Sequence, residues 1–147
     1  MLIICCGNPD RGDDGAGALV AGRLRDLGVE AETRTGEASE LLEAWRGVDH
    51  VVVVDAVETG APAGTVWRWE GWQTNFPTRR STSTHGLGLS EAITLARVLD
   101  RLPHRLRIYG IEGRRFEPGT GVSPEVKLAV EEVVLQIAKE QPQPVAG

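Results

Sequence analysis

Four consecutive valines, Val51 to Val54, lead into Asp55 within the run His50 to Val57. A stretch with no polar face to offer solvent reads as a strand covered on both sides, the pattern of a central position in a parallel sheet. Parallel neighbours need helical crossovers, and the rest of the chain alternates accordingly. Leu2 to Cys6 is a first apolar strand. A helix pattern from Asp13 or Asp14 to Leu27 carries Leu19, Val20, Leu24 and Leu27 on one face and stops at Gly28, a residue suited to a left-handed C-terminal position. Val29 to Arg34 reads as a short extended segment and Ser39 to Arg46 as a short helix. Thr65 to Trp69 alternates as an edge strand does, and Leu87 to Leu102 is a helix. Arg105 to Ile111 is a further strand, and Ser123-Pro124-Glu125 opens a last helix reaching about Lys139, with a serine cap and proline at the first helical position. Glu70 to His85 and Gly113 to Val122 read as loops. The expected fold is α/β: a three-layer α/β/α sandwich around a mostly parallel, five-stranded sheet, as one domain over residues 1–140 with a disordered tail over 141–147.

Composition bounds the function. A chain of 147 residues, 41% hydrophobic and 25% charged, is long enough to bury a core unaided. A net charge of −5 with no basic stripe argues against a nucleic-acid partner. Cys5 and Cys6 are adjacent in a strand, face opposite ways and read as buried thiols of a reducing compartment. With no apolar run of membrane-spanning length and no leader-like N-terminus, the expectation is a cytoplasmic protein with no membrane partner, and a monomer.

In an open α/β sheet, ligands bind beyond the carboxyl ends of the strands. Asp13 and Asp14 follow the first strand, Asp55 ends the valine strand, and His85 sits in Ser83-Thr84-His85-Gly86-Leu87 before a helix. Two acidic side chains and a histidine converging from separate loops are a donor set for a divalent metal with open positions. Each also has a plainer reading. Carboxylates are favoured at helix N-termini, and a lone histidine before a helix is often incidental. Asp55 is the least ordinary of them, since its charge sits beside a desolvated core. His50 and His104 receive no role.

Two alternative folds fit less well. A phospho-receiver domain needs a lysine ending its last strand, but Lys127 and Lys139 are the chain's two lysines and both fall in the final helix. A dinucleotide fold needs G-x-G-x-x-G after the first strand. Gly7, Gly12, Gly15 and Gly17 lack that spacing, and two aspartates there repel a pyrophosphate.

Gly7-Asn8, Asp13-Asp14-Gly15-Ala16-Gly17, Val54-Asp55-Ala56 and Ser83-Thr84-His85-Gly86, taken in order, resemble the hydrogenase maturation endopeptidases, and the resemblance runs from Leu2 to the last helix. It implies an aspartyl-type peptidase that removes a C-terminal extension from the large-subunit precursor of a [NiFe] hydrogenase once nickel is inserted. By the same resemblance Asp14, Asp55 and His85 are the catalytic and metal-contacting residues. The nickel arrives with the precursor and is not a resident cofactor. Without it, two converging carboxylates raise the pKa of one of them. With it, a scissile carbonyl sits near a Lewis acid, and Asp14 or Asp55 serves as general base. A nickel-sensing chaperone using the same ligands, or a small-molecule metallohydrolase on the same scaffold, are the alternatives. The sequence departs from the family pattern at Pro9-Asp10-Arg11-Gly12, where apolar residues are usual, and Asp14 replaces a glutamate found in some relatives. Asp13 is expected to cap the helix, and Gly15 and Gly17 to let a partner chain approach. Trp67, Trp69, Trp72, Phe76, Arg79 and Arg80 form the candidate docking surface, unless Trp67 or Trp69 instead covers one face of the sheet.

Overall fold

The computed structural model describes residues 1–72 and 88–140. The strands are β1 (Leu2–Cys6), β2 (Glu32–Arg34), β3 (His50–Val57), β4 (Val66–Glu70) and β5 (Arg105–Glu112). They form one five-stranded sheet in the order β2-β1-β3-β5-β4. All pairings are parallel except that of β4 with β5. The helices are α1 (Ala16–Asp26), α2 (Ala38–Ala44), α3 (Leu89–Val98) and α4 (Pro124–Glu140).

Strand alternation divides the core in two. Ile3, Cys5, Val52, Val54, Tyr109 and Ile111 face α1 and α4, where Val20, Leu24, Val130 and Val133 meet them. Ile4, Cys6, Val51, Val53, Leu106 and Ile108 face α2 and α3, against Leu41, Trp45 and Ile93. The valine run is therefore buried on both faces, and the two cysteines point to opposite layers. Trp67 and Trp69 stack with ring centroids 5.5 Å apart and lie over the α2/α3 face. They cover that face of the sheet. Trp72 is 76% exposed, while Phe76, Arg79, Arg80 and the 141–147 tail lie outside the described residues.

The strand order puts a switch point between β1 and β3, because the chain leaves β1 for β2 on one side and returns to β3 on the other. The loop after β1 and the end of β3 meet at that crevice, where open α/β sheets bind ligands.

Among the expected boundaries that moved, three have a visible cause. The first helix begins as a separate 3-10 turn, Gly12–Gly15, with α1 proper starting at Ala16. The extended segment contracts to Glu32–Arg34, because Val29 is held by a backbone bond to Leu24 O at the helix end. Helix α3 spans Leu89–Val98, short of Leu102, since Asp100 takes a positive φ of 55°.

Gly17 has a packing role. A Cβ there would fall 2.2 Å from the carbonyl oxygen of Cys6, so the residue seats α1 directly on β1 and leaves no opening for a partner chain. Gly22 of the same helix has nothing within 4 Å of its Cβ position. Gly17→Ala is expected to destabilise the fold by about 2 kcal/mol through overpacking. Gly22→Ala should stabilise it by up to about 1 kcal/mol. Thermal denaturation of the pair checks both signs.

Candidate active site

The loop after β1 folds back on itself before α1 begins. Gly7 takes φ +127°, and a Cβ on it would stand 2.1 Å from the carbonyl oxygen of Asp14, so only glycine lets the backbone cross there. Asn8 then makes an Asx turn, its Oδ1 accepting the Asp10 N–H at 2.9 Å, and Arg11 N donates to Asn8 O at 3.1 Å. The same Asn8 N–H donates to Asp14 Oδ2 at 2.8 Å, fixing that carboxylate over the end of β1.

Asp13 does not cap the helix, which has no side-chain cap. Its carboxylate turns the other way, into the loop between β5 and α4. It accepts the backbone N–H of Arg114 (2.7 Å), Arg115 (3.0 Å) and Ser123 (2.6 Å), and the Ser123 hydroxyl (2.8 Å). The Ser123 hydroxyl expected to cap the last helix is thus engaged with Asp13. Asp13 N also donates to Arg115 O at 2.7 Å. Burial pushes the Asp13 carboxyl up, but the bonds from Ser123, Arg115 and Arg114 outweigh it and hold the pKa below its ordinary value.

Asp55 lies on the α2/α3 side of β3, opposite Gly110 of β5 in the register and 9% exposed. The Trp69 ring lies over Gly110, 2.7 Å from the position of a Cβ there. Asp55 Oδ2 and Cys6 Sγ each lie 4.0 Å from the Cβ position of Gly36, so carboxylate and thiol share one small space under the chain that follows β2. Desolvation, then the charge of Asp14, push the Asp55 carboxyl up to about 8, with the Ala56 N–H pulling weakly the other way. Burial, then the field of Asp55, push the Cys6 thiol well above its ordinary value, and burial takes Cys5 to about 12. Both thiols are inert as nucleophiles.

Of the three expected site residues, the structure brings Asp14 and Asp55 to one crevice. His85 lies outside the described residues, and among the described residues no group of three histidine, cysteine or acidic side chains is arranged to hold a metal. The chemistry of the described pair still suits a cation. Two carboxylates in a desolvated pocket, one with its pKa near 8, are relieved by a positive charge placed between them.

Sequence reasoning passed over one carboxylate at this end of the sheet. Glu112 ends β5, is 1% exposed, and accepts the Thr59 N–H at 2.7 Å, the Thr59 hydroxyl, and Trp67 Nε1 at 3.2 Å. It ties the loop following Asp55 to β4. An acidic residue closing an apolar strand was the signal that singled out Asp55, and Leu106 to Ile111 followed by Glu112 carries the same signal.

Comparison with known proteins places the chain in a family and its fold among known structures. The hydrogenase maturation protease family model matches residues 35–140, and the chain belongs to that family, whose members are peptidases. Protein FrxA of Pyrococcus furiosus is 30% identical over 136 residues, covering 88% of this chain and 98% of that protein. The hydrogenase expression/formation protein HupD of Thiocapsa roseopersicina is 27% identical over 134 residues. That match covers 86% of this chain, and the chain spans 61% of HupD's length. Among solved structures, the [NiFe] hydrogenase maturation protease HybD from Thermococcus kodakarensis superposes with a TM-score of 0.74 at 23% identity, over 94% of this chain and 96% of that one. At that identity the likeness shows the fold alone. Among the described residues no helix is long and apolar enough to cross a membrane.

The two aspartates predict opposite pH behaviour. Between its ordinary 3.8 and about 8, Asp55 keeps its proton when folded and loses it when unfolded, so stability falls as pH rises across that window. Asp55→Asn should therefore raise the thermal midpoint more at pH 8 than at pH 4. Asp13 stabilises above its ordinary value, and its contribution is lost as pH falls through the depressed folded value. Asp13→Asn should lower the midpoint at pH 7 and reduce the loss of stability on acidification. Melting curves from pH 3 to 9 read both.

Proposed function

We propose that this chain removes the C-terminal extension from a [NiFe] hydrogenase large-subunit precursor after nickel has been inserted. Asp14, Asp55 and His85 contact the nickel that the precursor brings. The observation that carries this reading is the pair Asp14 and Asp55, desolvated together at the β1/β3 switch point, with Asp55 raised to about 8. A buried acidic pair of this kind is destabilising in the free protein and is stabilised when a cation arrives. Detecting the loaded precursor and assembling the reactive site are then one event.

The chemistry follows from that pairing. One carboxylate accepts a proton from a water molecule as its oxygen forms a bond to the scissile carbonyl carbon. The cargo metal holds the carbonyl oxygen as negative charge develops there. Collapse breaks the C–N bond, and the carboxylate returns the proton to the departing amine. Asp13 and Glu112 take no part in proton transfer. Their lone pairs are already engaged, and they hold the loops that carry Asp14 and follow Asp55.

The relatives' names support the assignment of substrate, since HupD is a hydrogenase expression/formation protein and HybD a [NiFe] hydrogenase maturation protease. The test is incubation of the purified chain with nickel-loaded and nickel-free precursor. Cleavage of the loaded form alone is expected, and Asp14→Asn, Asp55→Asn and His85→Ala should each slow it by about 100-fold or more. Binding without cleavage by the wild-type chain points to a nickel-sensing chaperone. A wild-type rate in the Asp55 variant removes this site from consideration.

A further inference from the structure

Strand β2 forms one outer edge of the sheet, and its three residues are all exposed. Arg34 O accepts the Gly7 N–H at 3.0 Å, so Arg34 turns both its backbone groups toward β1. Strand alternation gives Glu32 the same orientation, and turns the N–H and C=O of Ala31 and Thr33 outward, to the free side. The outward carbonyl of Ala31 is taken, since Arg25 donates to it from Nη2 at 2.8 Å and Nε at 3.2 Å. The open part of the edge therefore begins at Thr33. From there the chain runs through Thr35 to Gly36, whose Cβ position is 4.0 Å from Asp55 Oδ2. A groove of about 290 Å³ lies beside this edge, lined by Thr33, Arg34, Thr35 and Glu40 together with Cys5, Ala18 and, from the Asp14 loop, Gly7 and Pro9.

We propose that this edge is where the precursor's C-terminal extension docks, as an added strand that pairs with the backbone of Thr33 and is led over Gly36 to the carboxylates. The occupant is fixed by three features. An outer strand with free N–H and C=O groups is a template for an extended peptide. This one is capped by Arg25 at the end remote from the site and open at the end beside it. A groove lined by Thr33 and Thr35 of the edge also touches Gly7 and Pro9 of the loop that bears Asp14. Backbone pairing supplies affinity with little demand on sequence, and the side chains around the groove supply what selectivity there is. Thr35 and Glu40 are already bonded to each other, Oγ1 to Oε2 at 2.6 Å, which keeps the Glu40 carboxylate turned along the groove wall.

This inference rests on the peptidase reading, and its test separates the two. The probe is a synthetic peptide spanning the cleavage junction of the cognate precursor, added to the wild-type chain without nickel. Hydrogen exchange followed by NMR should show the Thr33 amide slowed at least tenfold by the peptide. Replacing one peptide amide by an ester should weaken binding about tenfold at the position that pairs with Thr33, and little at the next. Thr33→Pro removes the outward N–H while sparing the inward bonds of Arg34, and should weaken peptide binding and raise KM for the precursor about tenfold. If the wild-type chain cleaves loaded precursor while the peptide leaves Thr33 exchange unaltered, the edge proposal is overturned and the peptidase reading stands. If Thr33 is protected but no precursor is cleaved, the edge binds peptide and the peptidase reading fails. Should Thr33→Pro not fold, the exchange and ester measurements decide on the wild-type chain alone.

Discussion

A carboxylate at the end of four buried valines has little solvent to share its charge with, and the site depends on that fact. Asp13 and Glu112 each accept several N–H and O–H donors, and among the described residues Asp55 has no such set. Instead desolvation and the charge of Asp14 act in the same direction, and its pKa rises to about 8. The valine run serves both purposes. Its burial on both faces makes β3 the centre of the sheet, and the same burial denies Asp55 solvent.

The other two buried carboxylates make this arrangement tolerable. Asp13 accepts four hydrogen bonds from the loop between β5 and α4, and Glu112 bonds the loop after β3 and the Trp67 indole. Buried polar groups that are fully bonded stiffen their surroundings, and here they stiffen the loops on both sides of the Asp14–Asp55 pair. With three acidic residues crowded on one sheet edge and a fourth beside it, Asp13 and Glu112 are held by hydrogen bonds while burial and the charge of Asp14 raise Asp55. Gly7 completes the device by letting the backbone cross so closely that the Asn8 N–H reaches Asp14 Oδ2.

What could be read from sequence follows the range of each interaction. Strand β3 was legible to the residue, because a run of β-branched residues buried on two faces has one structural solution. The pairing of Asp14 with Asp55 was legible because both are tied to strand ends, and strand ends of a parallel sheet gather at one edge. The role of Asp13 was not legible. Its partners are 101 to 110 residues away, and locally it looks like any acidic residue at a helix start. Gly17 misled for a related reason. A glycine beside a site suggests room for a partner, and only the distance to Cys6 O reveals that the room is already filled by β1. The aromatic pair on β4 likewise followed its alternation onto the sheet face, leaving Trp72 exposed among the described members of the group.

Strand order was the largest thing the sequence withheld, and it governs what a substrate can do here. With β1 inside the sheet and β2 outside it, the loop bearing Asp14 is one strand away from open backbone, and Gly36 lies between that backbone and Asp55. Had β2 been internal, the carboxylates would face a crevice with no extended template beside it, and a peptide would have to be held by side chains alone. An outer strand three residues long is too short to invite wide edge-to-edge association, yet long enough to present one outward pair of backbone groups at Thr33. The short edge and the strained acidic pair are complementary. On the proposed reading, the first would hold a chain by features that all polypeptides share, and the second would respond when that chain arrives with a cation.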